Sequence, residues 1–418
     1  MQTSLDPTLL HPETLTEVDR ILRSCVHCGF CTSGCPTYQL LGDESDSPRG
    51  RIYLMKQAFE GDASFDAIAP HLDRCLTCRN CETNCPSGVD YSRLLDITKG
   101  LMFEQANGSL WRRLRYAGVK WLLRQRWLMR IGFGIGRALR SLPGLKNVGW
   151  LPFPRSHALS RVAQTDFSDR EQSSTHRPIS KRTQGKVLLL RGCLQHYATP
   201  GTVQALERIL KRYGYEATYL DTEACCGALP YHMGDHDTGL RDLSELDRQL
   251  KASGQEWVAV LSSASGCAAM LKQMDALLDP LGGTSTRQPP TTAGILDPVT
   301  FLAQLPPLPV KSIKVAVHQP CTQSHALKLT GQVAQYLGAL GFEITGSNQG
   351  EGCCGSAGTY SLLESRLAAS LRDQMLGQLE RAAPDVIVTA NVGCQVHLDA
   401  AGKTPVMHWL ELLDRQLI

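Results

Sequence analysis

Two cysteine quartets near the amino terminus constrain this chain more than any other feature. The first reads Cys25-Val-His-Cys28-Gly-Phe-Cys31-Thr-Ser-Gly-Cys35-Pro36, the second Cys75-Leu-Thr-Cys78-Arg-Asn-Cys81-Glu-Thr-Asn-Cys85-Pro86. Three thiols two residues apart can wrap three irons of one cubane, while the fourth, followed by a chain-turning proline, reaches a second one. The ligand sets are therefore expected to cross, with Cys25, Cys28, Cys31 and Cys85 on one 4Fe-4S cluster and Cys75, Cys78, Cys81 and Cys35 on the other. Structural zinc usually needs two spaced pairs and has no use for a third cysteine or the proline, so it is the weaker reading. A helical stretch predicted from about Arg49 to Gly61 makes the segment between the quartets longer than a compact two-hairpin ferredoxin needs, which points to a helical ferredoxin domain. On that helix Arg49, Arg51 and Lys56 stand either to raise the potential of nearby clusters or to solvate a helix face.

The other eight cysteines form a duplication. Cys193, Cys225, Cys226 and Cys267 match Cys321, Cys353, Cys354 and Cys394 at offsets of 128, 128, 128 and 127 residues. Around them, short apolar runs alternate with amphipathic segments. Strands are predicted at 187–190, 216–220 and 257–261 and again at 313–317, 342–345 and 385–389, with helices at 203–213, 328–340 and 360–381. In each copy one cysteine follows the first strand, a Cys-Cys-Gly follows the second and one cysteine follows the third. In a parallel sheet those strand ends converge on one edge, where open α/β folds bind ligands. These eight residues are therefore candidates to bind a cofactor: a further cluster, a redox-active disulfide, or a site for a quinone or haem. Gly227 and Gly355 allow the close backbone approach that adjacent cysteines need. His196, His232, His318, His325 and His397 lie in the same loops, and His397, three residues after Cys394, has the spacing to offer a nitrogen ligand, although a histidine so placed more often simply hydrogen-bonds.

Between the two cysteine-rich halves, no Asp or Glu occurs from Glu104 to Asp166, where twelve Lys and Arg interleave with Trp111, Trp121, Trp127 and aliphatic residues. One or two amphipathic helices are predicted there, serving either as a packed connector or as a peripheral membrane contact on anionic headgroups. A polar linker follows to residue 185. The fold expected is multidomain and α+β: a helical two-cluster ferredoxin domain over 1–104, a basic connector and linker over 105–185, and tandem α/β cysteine-rich domains over 186–310 and 311–418.

The residues Met1 to Thr16 show no secretory signal, and no run of roughly 18 apolar residues exists. Cytoplasmic placement is expected, and clustered cysteines in a reducing compartment serve metals more often than disulfides. A net charge of +3 and the absence of helix-turn-helix or zinc-finger patterns argue against a nucleic-acid partner. No strand-linked G-x-G-x-x-G is present, so substrate oxidation is expected on another chain.

The whole layout resembles the family that includes the iron-sulfur subunits of glycolate oxidase and anaerobic glycerol-3-phosphate dehydrogenase, lactate-utilisation proteins and heterodisulfide reductase subunits. Pro-Arg-Gly-Arg-Ile-Tyr-Leu from 48, Leu-Asp-Arg-Cys-Leu-Thr-Cys-Arg-Asn-Cys-Glu-Thr from 72, Cys-Cys-Gly-Ser-Ala-Gly-Thr-Tyr from 353 and Val-Thr-Ala-Asn-Val-Gly-Cys-Gln from 388 are similar to the bacterial glycolate oxidase iron-sulfur subunits. The resemblance implies a complex in which FAD-containing subunits oxidise glycolate to glyoxylate and this chain takes the electrons on to a quinone-level acceptor. Heterodisulfide reductase relatives end the repeat with CxxC, whereas here the positions are Cys267-Ala-Ala-Met270 and Cys394-Gln-Val-His397. The fifth cysteine of such a noncubane cluster is not supplied here; the alternative readings are an electron-transfer subunit of a lactate or glycerol-3-phosphate dehydrogenase, or a heterodisulfide-reductase-like enzyme.

Overall fold

The computed structural model describes residues 1–105, 184–253, 256–279 and 294–418, with residues 114, 116–118, 121, 122, 125 and 131. Most of the basic connector and of the polar linker expected over 105–185 lies outside the described residues. Among those described, no helix is long and apolar enough to cross a membrane.

The amino-terminal unit is helical. Helix Pro48–Phe59 starts where Ser47 Oγ accepts the Gly50 N–H at 2.9 Å and Pro48 supplies a preset first residue. Ile52, Met55 and Phe59 recur at helical spacing and are buried against Val18, Ile21 and Leu22 of helix Pro12–Ser24 and Leu94 and Leu95 of helix Tyr91–Glu104. Leu94 and Leu95 are fully buried, and each contributes roughly 2 kcal/mol through the water it leaves. Helix ends position the thiols: Cys25 follows Pro12–Ser24, Cys35 precedes Pro36–Leu41, and Cys81 lies in the short helix Asn80–Thr83.

The second half contains two four-stranded parallel sheets. Strands β1 (Gly185–Leu190), β2 (Tyr215–Thr218), β3 (Ala259–Ser262) and β4 (Ile295–Leu296) are ordered β2-β1-β3-β4. Strands β5 (Lys314–Val317), β6 (Glu343–Ser347), β7 (Val386–Thr389) and β8 (Val406–His408) repeat that order as β6-β5-β7-β8. Helices cover both faces, so the central strands β3 and β7 are buried at every residue and read as apolar runs that end in Ser262 and Thr389. The chain steps from β1 out to β2 and then crosses to β3, which makes the β1/β3 edge, and likewise β5/β7, the point where loops diverge and leave a crevice.

The two sheets share one apolar core that includes Val187, Leu206 and Leu210 from the first copy and Val315, Leu337, Trp409 and Leu413 from the second. Helices Gly201–Arg212 and Trp409–Gln416 close it, joined by Thr202 Oγ1 donating to Glu411 at 2.5 Å and Arg208 to Asp414 at 2.7 Å. Several elements differ from the sequence reading. The fourth strand of each sheet is only two or three residues long and carries too little alternation to be read. The helix predicted over 328–340 begins at Gln332, because Gly331, with φ +77°, ends a preceding irregular turn. The helix predicted over 360–381 breaks at Glu364, where φ −119° and ψ 50° divide Tyr360–Leu363 from Ser365–Leu379.

Candidate functional site

The two quartet loops have the same backbone. His27 and Gly29 in the first have φ of 56° and 83°, and Thr77 and Arg79, fifty residues later, have 49° and 63°. Three of these four are not glycine, and a left-handed residue with a Cβ costs on the order of 1 kcal/mol. The strain recurs at matching positions because it curls each loop round its sulfurs.

Cys25, Cys28, Cys31 and Cys85 line one small cavity with Val26, Ile52 and Val89. Cys35, Cys75, Cys78 and Cys81 line another with Pro36, Leu76 and Leu95. Cys81 also borders the first. The structure thus brings the fourth cysteine of each quartet to the other quartet's triplet. Burial, and then the neighbouring charge of Cys25, pushes the Cys31 thiol up to about 11; burial and Cys85 likewise raise Cys25. Two desolvated thiols whose ionisation their neighbours disfavour, sharing a cavity with two more, are a poor apolar core but a fitting donor set for iron, whose charge deprotonates coordinating thiols.

The three cations of helix Pro48–Phe59 separate in space. Lys56 pairs with Glu60. Arg49, a third exposed, bonds Glu44 at 2.7 Å and reaches the His27 carbonyl at 3.4 Å beside the first loop. Arg51 is 1% exposed, its guanidinium bonded to Asp46 at 3.3 Å, Thr37 at 3.1 Å and the His71 carbonyl at 2.7 Å. Burial works against its charge, yet Cys75, Tyr91, Cys35 and Asp46 hold its pKa above the usual arginine value.

In each cysteine-rich repeat the four sulfurs form a chain in the same order. Cys193 lies 3.7 Å from Cys225, and Cys226 is bonded to both Cys225 and Cys267. In the second copy Cys321 meets Cys353, Cys353 meets Cys354, and Cys354 donates to Cys394 at 3.1 Å. Hydrogen bonding with Cys321 and Cys354, together with the Gly355 N–H, pulls the Cys353 thiol well below its ordinary pKa despite burial. Gly355 has φ +84°, and a Cβ there would stand 2.5 Å from the Ala368 carbonyl oxygen; Gly227, with φ +76°, would meet the Gly239 oxygen at 2.1 Å. The loop after the first strand is pinned differently in the two copies. Glu223 accepts from the N–H groups of Arg191 and Gly192, both at 2.8 Å, while in the second copy Asn348 accepts from Gln319 at 2.6 Å.

All eight of these cysteines, with Cys75 and Cys78, face one cavity of about 1610 Å³. Cys78 and Cys321 pack in one buried cluster with Leu76, Cys353 and Tyr360, so the second quartet abuts the second repeat. Thr83 meets His325 at 2.8 Å across this boundary, and Arg79 donates to Gln273 of the first repeat at 3.3 Å. Helix Tyr91–Glu104 docks on the first repeat through Asp96 and His232 at 3.0 Å.

The histidines divide. His196 packs edge-on against Tyr197, and His232 and His325 serve the domain boundaries. His397, singled out by its spacing, bonds the Ala368 carbonyl at 3.2 Å. His318 instead lies among sulfurs, with one ring nitrogen, Cys354 Sγ and Cys394 Sγ all within 4.8 Å of one another. Burial drives its pKa down to about 4, so the ring is neutral. That placement follows from sheet register, which spacing along the chain does not disclose.

A 4Fe-4S dicluster domain model matches residues 21–89, and a Cysteine-rich domain model matches 187–272 and 315–399. The chain is 40% identical over 423 residues to the glycolate oxidase iron-sulfur subunit of Escherichia coli, covering 100% of this chain and 99% of that one. It is 30% identical over 417 residues to the probable glycolate oxidase iron-sulfur subunit of Bacillus subtilis, covering 94% and 93%. Lactate utilization protein A of Halalkalibacterium halodurans is 25% identical over 246 residues, 55% of this chain and 97% of that one. With thiol sets suited to iron and full-length likeness to such subunits, this is an iron-sulfur protein with an electron-transfer role, and it belongs to the family of glycolate oxidase iron-sulfur subunits.

Proposed function

We propose that this chain is the electron-transfer subunit of a glycolate dehydrogenase complex. FAD-containing partner subunits oxidise glycolate to glyoxylate, and electrons leave for a quinone-level acceptor. Cys25, Cys28, Cys31 and Cys85 hold one 4Fe-4S cluster and Cys35, Cys75, Cys78 and Cys81 the other, each supplying one-electron chemistry when bound. The cysteine-rich repeats form a further redox site on Cys193, Cys225, Cys226, Cys267, Cys321, Cys353, Cys354 and Cys394.

The observation that carries this reading is the continuity of sulfur. Cys78 of the second quartet lies in one apolar cluster with Cys321 and Cys353, and a single cavity joins it to both repeats. The protein's part is to exclude water, fix the thiols and bias the charge. Leu76 and Tyr360 seal the junction, the left-handed loop residues orient the thiols, and Arg51 places a cation beside Cys35. The large cavity, with Leu229, Met270 and Val392 on its wall, suits an apolar ring compound and supports the quinone-level assignment.

The test mixes the anaerobically purified chain with its flavin subunits and reads reduction of the clusters by EPR on adding glycolate, lactate or glycerol 3-phosphate. Reduction by glycolate alone is expected, and turnover of glycolate by the isolated chain would overturn the division of labour. Reduction driven by lactate or glycerol 3-phosphate would move the chain to another dehydrogenase.

A further inference from the structure

The two cysteine-rich repeats match in fold and in the order of their sulfurs, but they differ at one buried position. Counting back 128 residues from His318 gives Leu190, the last residue of β1. In the first copy Leu190 simply joins the apolar cluster around Cys226. In the second copy the same place holds an imidazole that is 2% exposed.

Burying an imidazole without a partner is costly, and an apolar residue fills the equivalent site without difficulty. The surroundings of His318 supply partners on both sides. Its backbone N–H donates to the Val388 carbonyl at 2.7 Å, continuing the β5–β7 ladder and fixing the residue beside the last residue of β7. Its Nδ1 lies 2.8 Å from the Thr389 hydroxyl. With Nδ1 engaged there, Nε2 is the nitrogen left for the sulfurs of Cys354 and Cys394. A hydroxyl or carbonyl on one ring nitrogen, setting the tautomer and aim of the other, is the usual support of a ligating histidine.

We propose that the second repeat holds an iron-sulfur group bound by the thiolates of Cys321, Cys353, Cys354 and Cys394 and by Nε2 of His318, and that the first repeat, with Leu190 in that place, has no nitrogen ligand. Five donors exceed the four that complete a tetrahedral zinc site, and thiolates with imidazole suit iron-sulfur chemistry. A fifth donor that is a neutral nitrogen, rather than one more anionic sulfur, makes such a group easier to reduce than one held by five thiolates. The second repeat is also the one whose Cys321 and Cys353 pack against Cys78. This inference rests on the reading of the repeats as redox sites.

The experiment uses the full chain, produced with ¹⁵N-labelled or unlabelled histidine and purified without oxygen, alongside H318L and H318C. Iron and sulfide are assayed, and pulsed EPR measures nitrogen hyperfine coupling. The wild type is expected to carry more than the about eight irons that two ferredoxin cubanes account for. It should also show a histidine-nitrogen coupling that changes with the isotope. H318L loses that coupling and the iron held by the second repeat, whereas H318C, with a replacement thiolate, keeps the iron and loses only the coupling. The proposal is overturned by wild-type iron no higher than eight, by zinc in place of iron, or by a coupling that survives in H318L. The ferredoxin signals give a separate reading. If they persist while the nitrogen coupling is absent, only this inference fails; if they too are missing, the proposed function fails with it.

Discussion

Nη1 of Arg51 lies 4.0 Å from the sulfur of Cys35, and both side chains are closed off from water. A buried guanidinium beside one thiol set, with the partly exposed Arg49 and the amino-terminal ammonium beside the other, makes the two sets electrostatically unequal. Arg51→Leu is expected to lower the potential of the cluster on Cys35, Cys75, Cys78 and Cys81 and to leave the other nearly unchanged. It also takes one of three partners from the buried Asp46, which keeps Arg74 at 2.9 Å and His71 at 3.2 Å, so stability should fall by only about 1–3 kcal/mol. Redox titration followed by EPR reads the first effect and thermal unfolding the second.

Cys85→Ser is expected to cost the cluster shared with Cys25, Cys28 and Cys31, and Cys35→Ser the cluster shared with Cys75, Cys78 and Cys81. Each change removes about four irons. Spin-coupled EPR features of two neighbouring clusters should collapse to those of one. Loss of the cluster belonging to the mutated residue's own quartet would show that the ligand sets do not cross.

Gly355→Ala forces a Cβ against the Ala368 oxygen at 2.5 Å with φ at +84°. Gly42→Ala meets a similar φ of +67° with nothing within 4 Å. The second variant should lose only about 1 kcal/mol from the left-handed conformation. The first should lose clearly more and release iron from the second repeat. Urea midpoints of the two variants measured side by side decide it.

Burial depresses the pKa of His408 to about 4, while its Nε2 faces the Ser263 carbonyl at 3.0 Å and its Nδ1 accepts the Leu410 N–H at 3.3 Å. Unfolding returns the ring to its ordinary value near 6.5, so the unfolded chain takes up the proton first. Stability from this residue is whole above pH 6.5, falls as pH drops from there toward 4, and levels off below. The full change is about 3 kcal/mol. His408→Gln should flatten this part of the thermal-midpoint profile, and an unchanged slope between pH 6.5 and 4 would count against it.

Local spacing carried the sequence reading furthest. The swapped fourth cysteines follow from three thiols that fit one cubane, and the tandem sheets follow from cysteine offsets that insertions have barely disturbed. Contacts made between strands were less visible. His397 drew attention because it stands three residues after Cys394, yet on helix Val392–Asp399 it turns to the Ala368 carbonyl. His318 is 76 residues from Cys394 and reaches it only because β5 and β7 are paired in parallel with Val317 opposite Val388. Among Arg49, Arg51 and Lys56, helical phase decides the outcome: Arg51 shares the inward face with Met55, while the other two lie on the flanks. Residues 295–296 and 406–408 are too short to declare themselves as strands without neighbours to pair with.

The common core joining both sheets has a genetic consequence. In a symmetric pair of separate chains, any substitution would appear at both sites at once, so neither could be altered without altering its twin. Fusing the copies into one polypeptide removes that restriction. Leu190 and His318 can differ, and the two halves are free to specialise while still folding around the same interior.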